Sequence, residues 1–147
     1  MTDMNKFLLT LSVLITAGMM SYGQATDDLR SECALSAGSN AKFLKDFRIE
    51  LGSSAGNKTL LRYKASISLW KNTKYRFSLC NDKSSEGKLI LTIKDNTNKV
   101  ILSSFDSTGK TYPFVDFICN KSGIYNLYYD FYNGHQGAGV SVVSMIR

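Results

Sequence analysis

The stretch Tyr112–Asn133, YPFVDFICNKSGIYNLYYDFYN, is the most aromatic part of the chain, and its reading decides the fold class. Past the turn Asn120-Lys121-Ser122-Gly123, the residues Tyr125, Leu127, Tyr129 and Phe131 fall on one side of a strand. Asn126, Tyr128, Asp130 and Tyr132 fall on the other. One face is apolar and one is wet. With FVDFIC before the turn, the stretch reads as two strands joined as a hairpin. A hairpin alone is marginal in water, so this aromatic face needs a second layer, and the chain is expected to be packed β-structure.

Working outward, the same period recurs on both sides. Upstream, Leu89, Leu91 and Ile93 point inward along Lys88–Lys94, Asp95-Asn96-Thr97-Asn98 turns, and Lys99–Phe105 returns antiparallel. Leu61, Tyr63, Ala65, Ile67 and Leu69 alternate with Arg62, Lys64, Ser66 and Ser68. After the turn Trp70-Lys71-Asn72-Thr73, the residues Tyr75, Phe77 and Leu79 alternate with Lys74, Arg76 and Ser78. Phe43, Lys45, Phe47, Ile49 and Leu51 predict the buried side of a first strand. Pro113, the sole proline, stands near a strand start, where a missing N–H is tolerable. Downstream, Asn133–Gly139 reads as a glycine-rich turn and Val140–Ile146 as the closing strand. The expected fold is all-β: a single antiparallel two-sheet β-sandwich or jelly roll of seven to eight strands over 41–147.

The remainder of the 147 residues is N-terminal. Lys6, the apolar run Phe7–Met20 and the small residues that follow have the pattern of a signal peptide over 1–23, with cleavage after Gly23 or Ala25. The apolar run is too short for a membrane span, so none is expected once the signal is removed. The predicted compartment is secreted, periplasmic or cell-surface. Residues 24–40 read as an arm of minor consequence, with two helical turns from Thr26 through Leu35 closed by Ser36-Ala37-Gly38-Ser39. An exported chain with three cysteines allows one disulfide, and Cys80 and Cys119, each ending a strand before Asn, are the expected pair. Cys33 would then be free or paired with another chain.

Removing 1–23 takes away one Lys and one Asp and leaves the net charge at +6. The basic residues alternate with apolar ones or sit in turns, as on a solvated sheet face, and the first expectation is a generic soluble basic surface. Anionic polysaccharide, lipopolysaccharide or acidic protein are the partners such a field favours. Nucleic acid is not expected as a partner, since no module that reads it is recognisable.

The segments Tyr75-Arg76-Phe77, Leu89–Asp95, Phe114-Val115-Asp116-Phe117 and Ser122-Gly123-Ile124-Tyr125 lie within Leu69–Tyr132, and in that order they resemble the bacterial pre-peptidase C-terminal domain. The resemblance implies a small jelly-roll sandwich of the kind appended to secreted enzymes, with a role in secretion or substrate binding. The eukaryotic GOLD-type sandwich is similar at the same level and ranks below it.

Chemistry is sparsely supplied. His135, the lone histidine, has no nucleophile and acid in a recognisable motif beside it. The chain is therefore expected not to be an enzyme, and no cofactor or metal is expected. Asp95, Asn96 and Asn98, or Asn81, Asp82 and Glu86, offer closely spaced oxygens that calcium could use, yet turn chemistry explains them equally. The candidate ligand-binding row is Asn126, Tyr128, Asp130 and Tyr132, aromatic rings beside amide and carboxylate groups, which suits sugar recognition. A bulge would swap Tyr125 and Tyr129 into that role. The expected function is a non-catalytic binding or accessory module for glycan or a surface protein. The alternatives are a structural subunit of an envelope or surface assembly and, behind it, a small hydrolase built on His135. The sequons Asn57-Lys58-Thr59 and Asn120-Lys121-Ser122 matter only in a eukaryotic host. Oligomeric state is not legible at this level.

Overall fold

The alternating stretches become eight strands in the computed structural model, which describes residues 21–54 and 61–147. Most of the expected signal peptide and the sequon at Asn57 lie outside the described residues. The strands are β1 (Ala41–Leu51), β2 (Tyr63–Leu69), β3 (Thr73–Asn81), β4 (Leu89–Lys94), β5 (Val100–Ser103), β6 (Phe114–Cys119), β7 (Gly123–Phe131) and β8 (Gly137–Ile146), preceded by helix α1 (Ser21–Ser36). Sheet I has the order β1-β8-β3-β6 and sheet II the order β2-β7-β4-β5, and all pairings are antiparallel. Only the β4–β5 connection stays within one sheet. Every other one crosses to the opposite sheet, which is the winding of a jelly roll.

That winding corrects the reading of Tyr112–Asn133. β6 pairs with β3, whereas β7 pairs with β2 and β4, so the turn at Asn120–Ser122 is a corner between sheets and not the bend of a hairpin. Both strands still send alternate residues inward. Phe47, Phe77, Leu91, Leu127 and Phe131 fill the space between the sheets, each buried side chain contributing about 1.5–3 kcal/mol. Tyr129 stands at the centre, and its hydroxyl donates to Ser141 Oγ at 2.8 Å, joining the two sheets through the core. β8 begins at Gly137, inside the expected glycine-rich turn, because the chain there runs directly under an aromatic ring. A Cβ at Gly137 would lie 2.2 Å from Phe131 Cδ1.

β1 departs from strict alternation. The register moves from Phe43 opposite Ser144 to Lys45 opposite Val143, leaving Leu44 as a bulge. Phe47, Ile49 and Leu51 face the core as expected, but Phe43 is turned to the outer side of sheet I, where Arg30 of α1 lies 5.0 Å over its ring.

The N-terminal arm is more than an appendage. α1 places Leu29, Cys33 and Ala34 on Val140 and Val142, forming a second apolar cluster on the outer face of sheet I. Gly38, at φ +99°, closes the helix end with its N–H donating to Leu35 O at 3.1 Å. Cys33 is bonded to Cys80, with Cα atoms 5.9 Å apart. The expected Cys80–Cys119 pair does not form. β3 and β6 are antiparallel, so their C-terminal ends lie at opposite ends of the sheet: Cys119 is opposite Thr73, seven residues or roughly 23 Å of strand from Cys80. Cys119 is a buried free thiol.

Candidate functional site

Among the described residues no helix lies over sheet II, although its outward residues Ile90, Thr92 and Asp130 are buried. Beside them Lys64, Ser66, Lys94, Asn126 and Tyr128 form a cluster that is at least partly exposed. Cross-strand register sets Lys64 of β2 and Thr92 of β4 on either side of Tyr128 of β7, and sets Ser66 and Lys94 on either side of Asn126. Two ammonium groups lie over the Tyr128 ring, Lys94 Nζ at 4.7 Å and Lys64 Nζ at 5.6 Å from its centroid. Each is within the range of a cation–π attraction, which holds two like charges close together without an intervening acid. Ser66 Oγ donates to Asn126 Oδ1 at 3.1 Å, leaving the Asn126 amide N–H groups without a partner among the described residues. The surface therefore presents two cations and amide donors around one ring.

Of the four residues in the expected row, Asn126 and Tyr128 share this surface and the other two do not. Asp130 follows the alternation but is only 1% exposed. It forms an ion pair with Arg62, whose Nη2 donates to Asp130 Oδ1 at 2.9 Å, and the Arg62 backbone N–H donates to Oδ2 at 3.3 Å. Arg62 Nη1 also reaches Gly52 O at 2.6 Å, so this carboxylate anchors both ends of the β1–β2 connection. Tyr132 leaves the strand in the 3₁₀ turn Tyr132–Gly134 and packs edge-on against Phe105, centroids 6.4 Å apart. Tyr125 and Tyr129 face the core, so no bulge reverses the strand. The missed members of the cluster are Lys64 and Lys94. Their signal was present in the alternation of β2 and β4, since both stand at outward positions.

A cleft of about 290 Å³ opens at one end of the sandwich between the β4–β5 and β6–β7 turns, lined by Ile101, Phe117, Tyr125, Asp95, Thr97 and Asn120. Its polar groups are largely committed to local structure. Tyr125 donates to Lys121 O at 2.6 Å, and burial, with Cys119 beside it, pushes the phenol up to about 12. Asp95 Oδ1 accepts from the Thr97 hydroxyl at 2.7 Å and from the backbone N–H of Thr97 and Lys99, which hold its carboxyl below the usual range. Asp106 repeats the arrangement with Thr108 and Lys110, and Asp82 caps Ser84 in the same way. The turns D-x-T-N-K and D-x-T-G-K both place their fourth residue at positive φ, Asn98 at 67° and Gly109 at 86°. Asp95 and Asp82, two of the acids weighed for calcium, are thus turn caps, and among the described residues no three His, Cys, Asp or Glu side chains gather as metal ligands would. His135 is exposed on its loop.

No protein-family model matches this chain, and no curated protein matches it. What defines it is its architecture: a jelly-roll β-sandwich with one sheet capped by a disulfide-tethered helix and the other bearing a partly exposed tyrosine flanked by two lysines.

Proposed function

We propose that this chain is a secreted, non-catalytic binding module, and that the outer face of sheet II takes an acidic polysaccharide. The observation that carries the reading is the pair of ammonium groups at Lys64 and Lys94 held over the partly exposed Tyr128 on the outer side of sheet II. Asp130, the carboxylate in the same row, is neutralised by Arg62, so it does not oppose an anion. Two cations flanking one ring attract a carboxylate or sulfate, and the Asn126 amide supplies donors for neighbouring hydroxyls. A neutral sugar stacked on the ring is less well served, because the lysines already occupy its surroundings. The net charge of +6 would draw an anionic chain from a distance. The resemblance to pre-peptidase C-terminal domains agrees with an accessory role in substrate binding.

Calorimetric titration with a polyuronate oligomer and with a neutral glucan of equal length tests the proposal. Binding of the polyuronate alone, weakened by salt and reduced roughly tenfold or more in Lys64→Ala/Lys94→Ala, is expected. Equal binding of both polymers, or no change in the double variant, would sink it.

A further inference from the structure

A sandwich of two four-stranded sheets has four edge strands, and three of these carry devices that discourage pairing. β1 has the bulge at Leu44 and the charges Lys42, Lys45, Asp46, Arg48 and Glu50. β2 alternates Lys64, Ser66 and Ser68 outward, and β5 is four residues long. β6 is different. Its sequence FVDFIC contains no lysine, no bulge and no glycine, and its outward apolar side chains are uncovered: Phe114 is 46% and Ile118 is 63% exposed.

Hydrogen bonding fixes which backbone groups that edge presents. Pro113 O accepts from Leu79 N and Cys119 O from Asn72 N, so the odd-numbered residues of β6 turn their backbone groups toward β3. By antiparallel alternation, the N–H and C=O groups of Phe114, Asp116 and Ile118 point away from the sheet. Those three residues are symmetric about Asp116. A two-fold axis through Asp116 lets a second β6 pair with all six groups at once, and the same register sets Phe114 of one copy beside Ile118 of the other at both ends.

At the centre the two Asp116 residues face each other, an arrangement unfavourable for bare carboxylates. Here each carboxylate is already held by its own Arg76, with Nε donating to Oδ1 at 2.7 Å and Nη2 to Oδ2 at 2.9 Å, and Lys74 lies 3.7 Å away. The central row then runs Arg76, Asp116, Asp116, Arg76, with each acid flanked by a base. Arg76 also lies 4.4 Å over the Phe114 ring, which keeps that side chain on the outer face where Ile118 of the other copy would meet it.

We propose that two copies of this chain associate through β6, antiparallel about Asp116, joining their four-stranded sheets into one of eight strands. The occupant is a second copy because the free groups and apolar side chains of this edge complement themselves in a single register. The inference does not rest on the polysaccharide reading, since β6 belongs to sheet I and the Tyr128 surface to sheet II.

Sedimentation equilibrium of the full chain over a wide concentration range, with amide hydrogen exchange on the same samples, tests it. Dimers that dissociate on dilution are expected, with the Asp116 and Ile118 amides protected only at the higher concentrations while the β1 edge is unchanged. Ile118→Lys, at an exposed site, should weaken association roughly tenfold or more while leaving the circular dichroism, and the melting curve at concentrations where the parent is monomeric, unaltered. Phe114→Lys serves as a second variant with the same expectation. A chain that stays monomeric throughout, or that dimerises as tightly after both substitutions, overturns the proposal. Protection of these amides that does not vary with concentration overturns it too.

Discussion

The two outer faces of this sandwich were built to opposite ends. On sheet I the outward positions of β8 include Val140 and Val142, and the chain brings α1 across to bury them and bonds it there through Cys33 and Cys80. On sheet II the outward positions of β2 and β7 include Ser66, Ser68 and Asn126, which water can serve directly, although Ile90, Thr92 and Asp130 on the same face are buried. Apolar alternate residues require a cover, and polar ones leave a surface free for a partner. A sheet's outer face thus shows where the rest of the molecule has to cover it.

Removing the cover gives the largest expected change. The Cys33–Cys80 bond spans a sequence separation of 47 residues, and Cys33→Ala/Cys80→Ala should lower stability by about 4 kcal/mol on the chain-entropy view of cross-links. Urea unfolding measures this. If the loss fell below about 1 kcal/mol, α1 would be held by its apolar contacts alone and the contrast between the faces would weaken. The corresponding anchor on sheet II is the ion pair of Asp130 with Arg62. Asp130→Ala leaves a guanidinium that is mostly buried without its partner and should cost about 3 kcal/mol, whereas replacing both residues by apolar ones should restore much of it. A small effect of the single change would mean that the β1–β2 connection is held by other contacts.

These two anchors also mark the limit of what the chain discloses when read in order. Alternation in Leu61–Leu69 and Tyr125–Phe131 suffices for strands, layers and inward faces. It does not distinguish a hairpin from a corner between sheets, because a short Asn-Lys-Ser turn serves either geometry, so β6 and β7 read as partners. Cys80 and Cys119 read as equivalent strand ends for the same reason: direction along a sheet has no local signature. The bulge at Leu44 is hidden because Phe43 and Leu44 are both apolar and either could face inward. Asp130 reads as wet because its partner Arg62 is 68 residues away in sequence. Asn126 and Tyr128 were legible as outward residues, and Lys64 and Lys94 became part of the site only once β2 and β4 were placed beside β7.

Smaller effects sharpen the comparison. Tyr125 and Tyr129 both lie against the core with phenol groups raised above the ordinary tyrosine range, chiefly by burial. In the unfolded chain each ionises near pH 10, so the stability they contribute is complete below that pH and declines as pH climbs from 10 toward 12. Melting curves across that interval should fall steadily, and less steeply in Tyr125→Phe. An identical slope in the variant would show that Tyr129 alone carries the effect. On the capped face, Ser78 is 2% exposed and its hydroxyl has no hydrogen-bond partner among the described residues. Ser78→Ala should leave stability unchanged or raise it by up to about 1 kcal/mol. A loss larger than that would reveal a partner for the hydroxyl beneath α1.

The smallest expected change in stability belongs to the surface proposed for binding. Lys64 and Lys94 touch Tyr128 only through cation–π contacts at the open face of sheet II. Replacing both with alanine removes two such contacts, each worth about 0.5–1 kcal/mol at an exposed site, and relieves the repulsion between the two ammonium groups. The opposed terms should leave the melting temperature within a degree or so of the parent, near the limit of what surface substitutions usually do. If the double variant instead melted several degrees lower, the cluster would be holding sheet II together, and the open face would be a structural feature with no need of a ligand. If it melted higher, the repulsion dominates, and the chain keeps two cations side by side at a cost to its own stability that an anionic partner would relieve.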